Sequence, residues 1–165
     1  KPHTLATASK LMSLGANREQ IVQQLYRTRS IATLKLWGSG LQHMHHEPAH
    51  GLVWTTITRD EMVRAGATEQ DLYDIIDELL STSPEAKVVL LLHEHKKTDE
   101  SGLVHGLIHT AIKQLNATDL VIPYHGKGDH IRASFNLSGT TLAEAEKNIV
   151  QNLRERLNLI LKETK

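Results

Sequence analysis

The stretch AKVVLLLHEH, residues 86–95, constrains the fold more than any other part of the chain. It is a continuous apolar run, with Pro84 just before it and the polar KKTDESG just after it. That pattern fits a strand covered on both faces rather than one that alternates between core and water. Such a strand belongs inside a sheet with further structure packed on either side. LVHGLIHT, which follows the polar turn, reads as its hairpin partner. GLVWTTIT from Gly51 is rich in β-branched and aromatic residues and reads as another strand.

Helical signals surround these strands. Leu5, Ala8, Leu11 and Met12 carry helical periodicity up to Gly15, and Asn17 with Gln20 makes a capping-box start for Ile21, Val22, Leu25 and Tyr26. A further helix starts at Ser30, with Ile31, Leu34, Trp37, Leu41 and Met44 spaced by three and four, and it stops near a His-rich loop and Pro48. Thr58 with Glu61 opens a short helix that ends at Gly66. Thr68 with Asp71 opens an amphipathic helix with Leu72, Ile75, Ile76, Leu79 and Leu80 on one stripe. Thr118 is placed to cap a short helix ending near Pro123, and IRASFNL from Ile131 reads as a strand. Thr141 and Glu144 open a last helix of roughly 23 residues, about 34 Å long. The expected fold is therefore α/β (α+β): N-terminal helices, then a mixed β-sheet packed by helices, then a long C-terminal helix.

Composition narrows the function classes. Lys plus Arg and Asp plus Glu each number 19, giving a formal net charge of zero. There is no global field to draw in a long polyanion, so any nucleic-acid contact must be local. The absence of cysteine excludes disulfides and thiolate metal sites and suits a cytoplasmic protein. No apolar run approaches the ~20 residues of a membrane span, and no signal peptide opens the chain. At 165 residues the size suits one main domain. The helical start without an initiator Met reads as a piece of something longer, with residues 1–29 as the end of a preceding domain and its connector, and 30–165 as the main domain.

One local motif stands out. YHGKGDHIRASF, Tyr124–Phe135, gathers two glycines, a lysine, two histidines and an arginine into twelve positions. Gly126 and Gly128 permit positive φ and close approach to the main chain, so backbone N–H groups there suit an anion nest. Lys127 adds a mobile charge, and His130 and Arg132 alternate onto one face of the following strand, where Arg can give paired hydrogen bonds to phosphate. Two alternatives stay open. The stretch also fits a tight loop between packed elements, and Asp129 either repels phosphate or pairs with Arg132.

The stretches RTRSIATLKLWGSGL, GLVWTTITRDEM, GATEQDLYDIIDELL, AKVVLLL and GLVHGLIHT…HGKGDHIRAS, in that order and spacing, resemble the C-terminal domain of the DHH phosphoesterase family. The nearest group is the nano-RNases and 3′-phosphoadenosine 5′-phosphate phosphatases, related to the RecJ exonucleases. The resemblance implies a substrate-binding domain that closes over a cleft, the missing N-terminal domain of the same parent chain holding two divalent cations, typically manganese. The implied substrate is a short oligonucleotide or a nucleotide bisphosphate, and a homodimer is a possible assembly. Without the metal-binding domain, such a chain is expected to bind rather than cleave.

The family's glycine-rich loop is matched by Gly126, Gly128, His130, Arg132, Ala133 and Ser134, with Lys127 and Asp129 where glycine is usual. Its Gly-Ser-hydrophobic-Arg strand is matched only as Gly106-Leu107-Ile108-His109. The implied substrate residues are thus Gly106, His109, Gly126, Lys127, Gly128, His130 and Arg132, with no catalytic residue in the chain. His109 in place of arginine makes phosphate binding depend on pH, because imidazole titrates near ~6.5. The rival readings are a degenerate nucleotide-binding module and a structural or dimerisation module.

Eleven histidines raise a metal hypothesis of their own. His43, His45, His46 and His50 lie close to Glu47, while on strands His93 and His95 share one side, as do His105 and His109. None makes a specific metal-site template, so no metal ligand is assigned and solvated histidines are the reading set against it.

Overall fold

The computed structural model describes residues 30–96 and 102–163. The helices expected before Ser30, and with them the 1–29 segment, lie outside the described residues. Five α-helices and a six-stranded mixed sheet make up the described chain. Helix α1 spans Ile31–Gln42, capped by Ser30, whose side chain accepts the Thr33 N–H. Strand β1, His45–Glu47, occupies the stretch expected to be a loop, and β2 is Leu52–Ile57. Helix α2, Arg59–Ala65, has the expected capping box, with Thr58 and Glu61 each bonding the other's backbone N–H. Helix α3 is Glu69–Thr82, β3 is Val88–Lys96 and β4 is Leu103–Thr110. Helix α4, Ala117–Leu120, is capped by Asn116 rather than Thr118, since Asn116 accepts the Thr118 N–H. A 3₁₀ turn at Ile122–Tyr124, β5 at Lys127–Gly128 and β6 at Arg132–Ser138 follow, and α5 closes the chain at Leu142–Glu163.

The strand order is β1-β2-β3-β4-β6-β5. β2 and β3 run parallel, joined by α2 and α3, and the other neighbours are antiparallel. Val88 to Leu92 are all fully buried, as the continuous apolar run requires. Val88, Leu90 and Leu92 pack with Ala145, Ile149, Leu153 and Leu157 of α5. Val89 and Leu91 pack with Leu36, Met62, Leu72, Ile75 and Ile76 of α1, α2 and α3. At about 1.5–3 kcal/mol per large buried side chain, this central strand is the main anchor of both layers.

The two faces are covered unequally. On β6, Ala133 and Phe135 face the α5 layer and are buried, whereas Arg132 and Asn136 on the other face are exposed and Ser134 is half-buried. Helices α1 to α3 thus leave the β6–β5 end of their face open to solvent. No helix among the described residues is long and apolar enough to cross a membrane.

Candidate functional site

The open end of that face carries a cavity of about 250 Å³ with a mixed lining, in which Ile76 and Leu107 stand beside Tyr73 of α3, His109 of β4, Arg132 and Ser134 of β6, and Lys127 of β5. Strand register puts them there. His109 lies opposite Arg132, and Lys127 opposite Ser134. Cross-strand partners project to the same face, and Arg132 and Ser134 are two residues apart, so the three basic residues converge. Asp77, from the polar side of α3, completes the group. Its Oδ1 lies 3.3 Å from His109 Nδ1 and 3.2 Å from Arg132 Nη2.

The hairpin between β5 and β6 is pinned by Asp129. Its backbone N–H donates to the Arg132 carbonyl at 2.7 Å, and its Oδ1 accepts the N–H groups of Ile131 and Arg132 at 2.8 and 2.9 Å. These two backbone bonds, Arg132's first, hold the Asp129 carboxyl below its ordinary range. The pairing of Asp129 with Arg132 therefore runs through the backbone, while the guanidinium turns to Asp77. His130 sits in the turn, before β6 begins, so the expected strand alternation with Arg132 does not reach it. Its carbonyl accepts the Ala117 N–H at 2.9 Å, and its side chain is not among those lining the cavity.

The glycines serve packing. A Cβ on Gly126 would lie 2.5 Å from Val121 Cγ2 and 2.7 Å from the Ser134 carbonyl oxygen, and the Gly126 N–H is already spent on the Val121 carbonyl at 3.0 Å. A Cβ on Gly128 would meet the Arg132 carbonyl oxygen at 2.1 Å. Positive φ falls at His125, 55°, not at either glycine, so the expected positive-φ nest does not form there. Gly106 lies opposite Phe135 on the face away from the cavity, and a Cβ there would stand 2.1 Å from the ring. Of the residues expected from sequence, Lys127, Gly128, His109 and Arg132 line the cavity, and Gly106, Gly126 and His130 do not.

Electrostatics divide the labour. His109 is buried, and its pKa is lowered first by desolvation and then by the Arg132 charge, against the pull of Asp77 and Asp129. A neutral imidazole at pH 7 can donate Nδ1–H to Asp77 but adds no positive charge, so its charge change moves below the ordinary range expected from sequence. Arg132 is half exposed and uses one nitrogen on Asp77, leaving other donors for an anion. Sequence reasoning missed Asp77 and Tyr73 because each reads only as a helix residue flanking the Ile75–Ile76 stripe.

The resemblance places two manganese ions in a preceding domain and assigns none to this chain. Among the described residues, one group of three His, Asp or Glu places ligand atoms within 4.8 Å of one another, Glu69 with His93 and His95. Two imidazoles and one carboxylate do not supply the oxygen-rich set that clamps a pair of hard cations.

No family model matches the sequence, and no curated protein matches it either. Solved structures do match. An exopolyphosphatase-related protein from Bacteroides fragilis superposes with a TM-score of 0.67 at 20% identity, over 92% of this chain and 43% of that one. The pGpG-specific phosphodiesterase PggH from Vibrio cholerae superposes with a TM-score of 0.50 at 13% identity, over 86% of this chain and 42% of that one. The chain spans less than half the length of these structures, and its fold is one shared with phosphoesterase-related proteins.

Proposed function

We propose that this chain is the substrate-gripping part of a DHH-type, metal-dependent phosphoesterase. It holds a phosphate of a short oligonucleotide or nucleotide bisphosphate, while metal-assisted cleavage belongs to a preceding domain of the parent protein. The observation that carries this is the convergence of Lys127, Arg132 and His109 on one cavity at the open end of the sheet, with Asp77 paired to both Arg132 and His109. At about 250 Å³ the cavity is below the roughly 300–1,000 Å³ of an enclosing small-molecule site, a size suited to a phosphate and part of its sugar. Support also comes from the fold shared with the exopolyphosphatase-related protein.

In this reading Arg132 supplies charge-assisted hydrogen bonds, Lys127 a mobile charge, and Asp77 fixes the guanidinium. Gly126 and Gly128 let β5 lie close against β6 and so hold Lys127 over the cavity. Calorimetry with a 5′-phosphorylated dinucleotide and a nucleotide bisphosphate tests the grip. Binding is expected, together with no turnover of labelled dinucleotide in manganese. Turnover that survives repurification, or the absence of binding to both ligands, overturns the proposal for this chain.

A further inference from the structure

We propose that Glu69, His93 and His95 form a binding site for a single zinc-class divalent cation, separate from the phosphate cavity. His93 and His95 project from the same face of β3, with ring centroids 5.9 Å apart in an edge-on arrangement. Glu69, the first residue of α3, brings Oε1 to 3.8 Å from His95 Nδ1. One ligand atom from each of the three lies within 4.8 Å of the others. Ligand atoms bound to zinc at 2.0–2.1 Å stand about 3.3 Å apart in a tetrahedron, so side-chain movements of about 1 Å close the set.

A second observation points to a ligand. His93 is only 4% exposed, and its Nδ1 has no hydrogen-bond partner. A buried imidazole nitrogen left without a partner is costly, and a cation at this position would engage the imidazole. His105, the cross-strand neighbour of His93, has its Nδ1 engaged by Asn136 Oδ1 at 2.7 Å. Three protein ligands, two of them solvent-exposed, leave a coordination position open to water or an anion. Two nitrogens and one carboxylate favour zinc, cobalt or nickel over manganese or magnesium.

The site stands apart from the phosphate grip and does not depend on it. Glu69 and Asp77 are separated by eight residues of α3, about 12 Å along the helix. The other histidine-rich stretch is not an equivalent cluster. His43 pairs with Glu61, His45 stacks on Trp54, and His50 bonds Glu47 and Asn158.

The test uses the full chain, stripped with chelator and titrated with Zn²⁺ against a chromophoric competitor, with Co²⁺ absorption reporting coordination. One equivalent is expected to bind tightly, and Co²⁺ to give the visible band of a nitrogen-containing, low-coordinate site. Glu69→Ala and His95→Ala, both at exposed positions, should each weaken Zn²⁺ by more than about tenfold, since even outer-shell changes cost ten- to a hundredfold. Their melting curves without metal should match the parent's. His43→Gln and His46→Gln should leave the tight site unchanged. Binding that is insensitive to Glu69→Ala and His95→Ala, or equally sensitive to His46→Gln, overturns the proposal, as does the absence of a tight equivalent.

Discussion

Arg132 reaches across from β6 to Asp77 on α3, Nη2 to Oδ1 at 3.2 Å, so the half-exposed guanidinium beside the cavity is itself held by a carboxylate. The same oxygen receives His109, which makes Asp77 the hinge of the site. A half-exposed pair of this kind adds little to stability by itself. Its effect is geometric, because a fixed guanidinium loses less freedom on binding than a mobile one.

That arrangement sets the first prediction. Arg132→Ala should weaken phosphate binding by about ten- to a hundredfold, the loss of a charge-assisted contact, with little change in melting temperature. Asp77→Asn should keep a polar partner for both neighbours and relieve the repulsion of phosphate, yet loosen the guanidinium, so its effect should be smaller. Calorimetry of the two variants and their combination measures the coupling. Unchanged binding in Arg132→Ala would place the grip elsewhere.

Asp129 yields a different pattern. Its carboxylate holds the turn through the Ile131 and Arg132 N–H groups, so Asp129→Ala should lower the melting temperature. Asp129→Asn retains an acceptor oxygen while removing the charge. It should therefore keep most of the stability and bind phosphate more tightly than the parent. Equal melting temperatures for the Ala variant and the parent would show that the turn holds without this side chain.

The pH prediction concerns His109, which is faced by Asp77 from α3, Arg132 from β6, Asp129 from the hairpin, and Lys127 across the cavity. Unfolded, its ring takes a proton near ~6.5; folded, burial and Arg132 delay that to lower pH. In that interval the unfolded chain binds more protons, so this part of the stability is full above ~6.5 and is lost as pH falls through the folded pKa. Denaturant midpoints should be lower at pH 5 than at pH 7.5, and His109→Gln should reduce the difference. Phosphate affinity between pH 7 and 8 should be insensitive to His109→Gln on charge grounds. An identical pH slope in the variant would show that His109 does not titrate as placed.

How much of this was legible in the sequence depends on the range of the forces involved. The run Val88–Leu92 specifies a doubly covered strand because every side chain in it must be buried, and the Thr58–Glu61 box marks a helix start because the bonds are local. Strand β1 escaped because it depends on pairing with β2, with His45 resting on Trp54. Of the residues that line the cavity, Lys127, His109 and Arg132 were singled out from composition and resemblance. Asp77 was not, since it acquires its role only when α3 is laid over the β4–β6 register. The glycines were read for positive φ and for the close approach of a ligand, whereas the fold uses their lack of a side chain to bring its own backbone and side chains close.

Gly106 tests that last distinction directly. The ring of Phe135 lies over it, with Cζ 2.1 Å from where a Cβ would stand, and both ends of the pair are sheet backbone. Gly106→Ala must displace the ring from its place among Val104, Ala133 and the stacked Tyr124, an overpacking that should cost about 1–3 kcal/mol. Phosphate affinity of the folded fraction should be unaffected, because Gly106 faces away from the cavity. Adding Phe135→Leu should recover part of the loss by removing the ring, although Phe135→Leu alone destabilises. Urea melts of the two single variants and the double variant, read as a coupling, decide the matter. A Gly106→Ala protein of parental stability but weakened phosphate binding would return Gly106 to the binding site and overturn the packing role assigned to it.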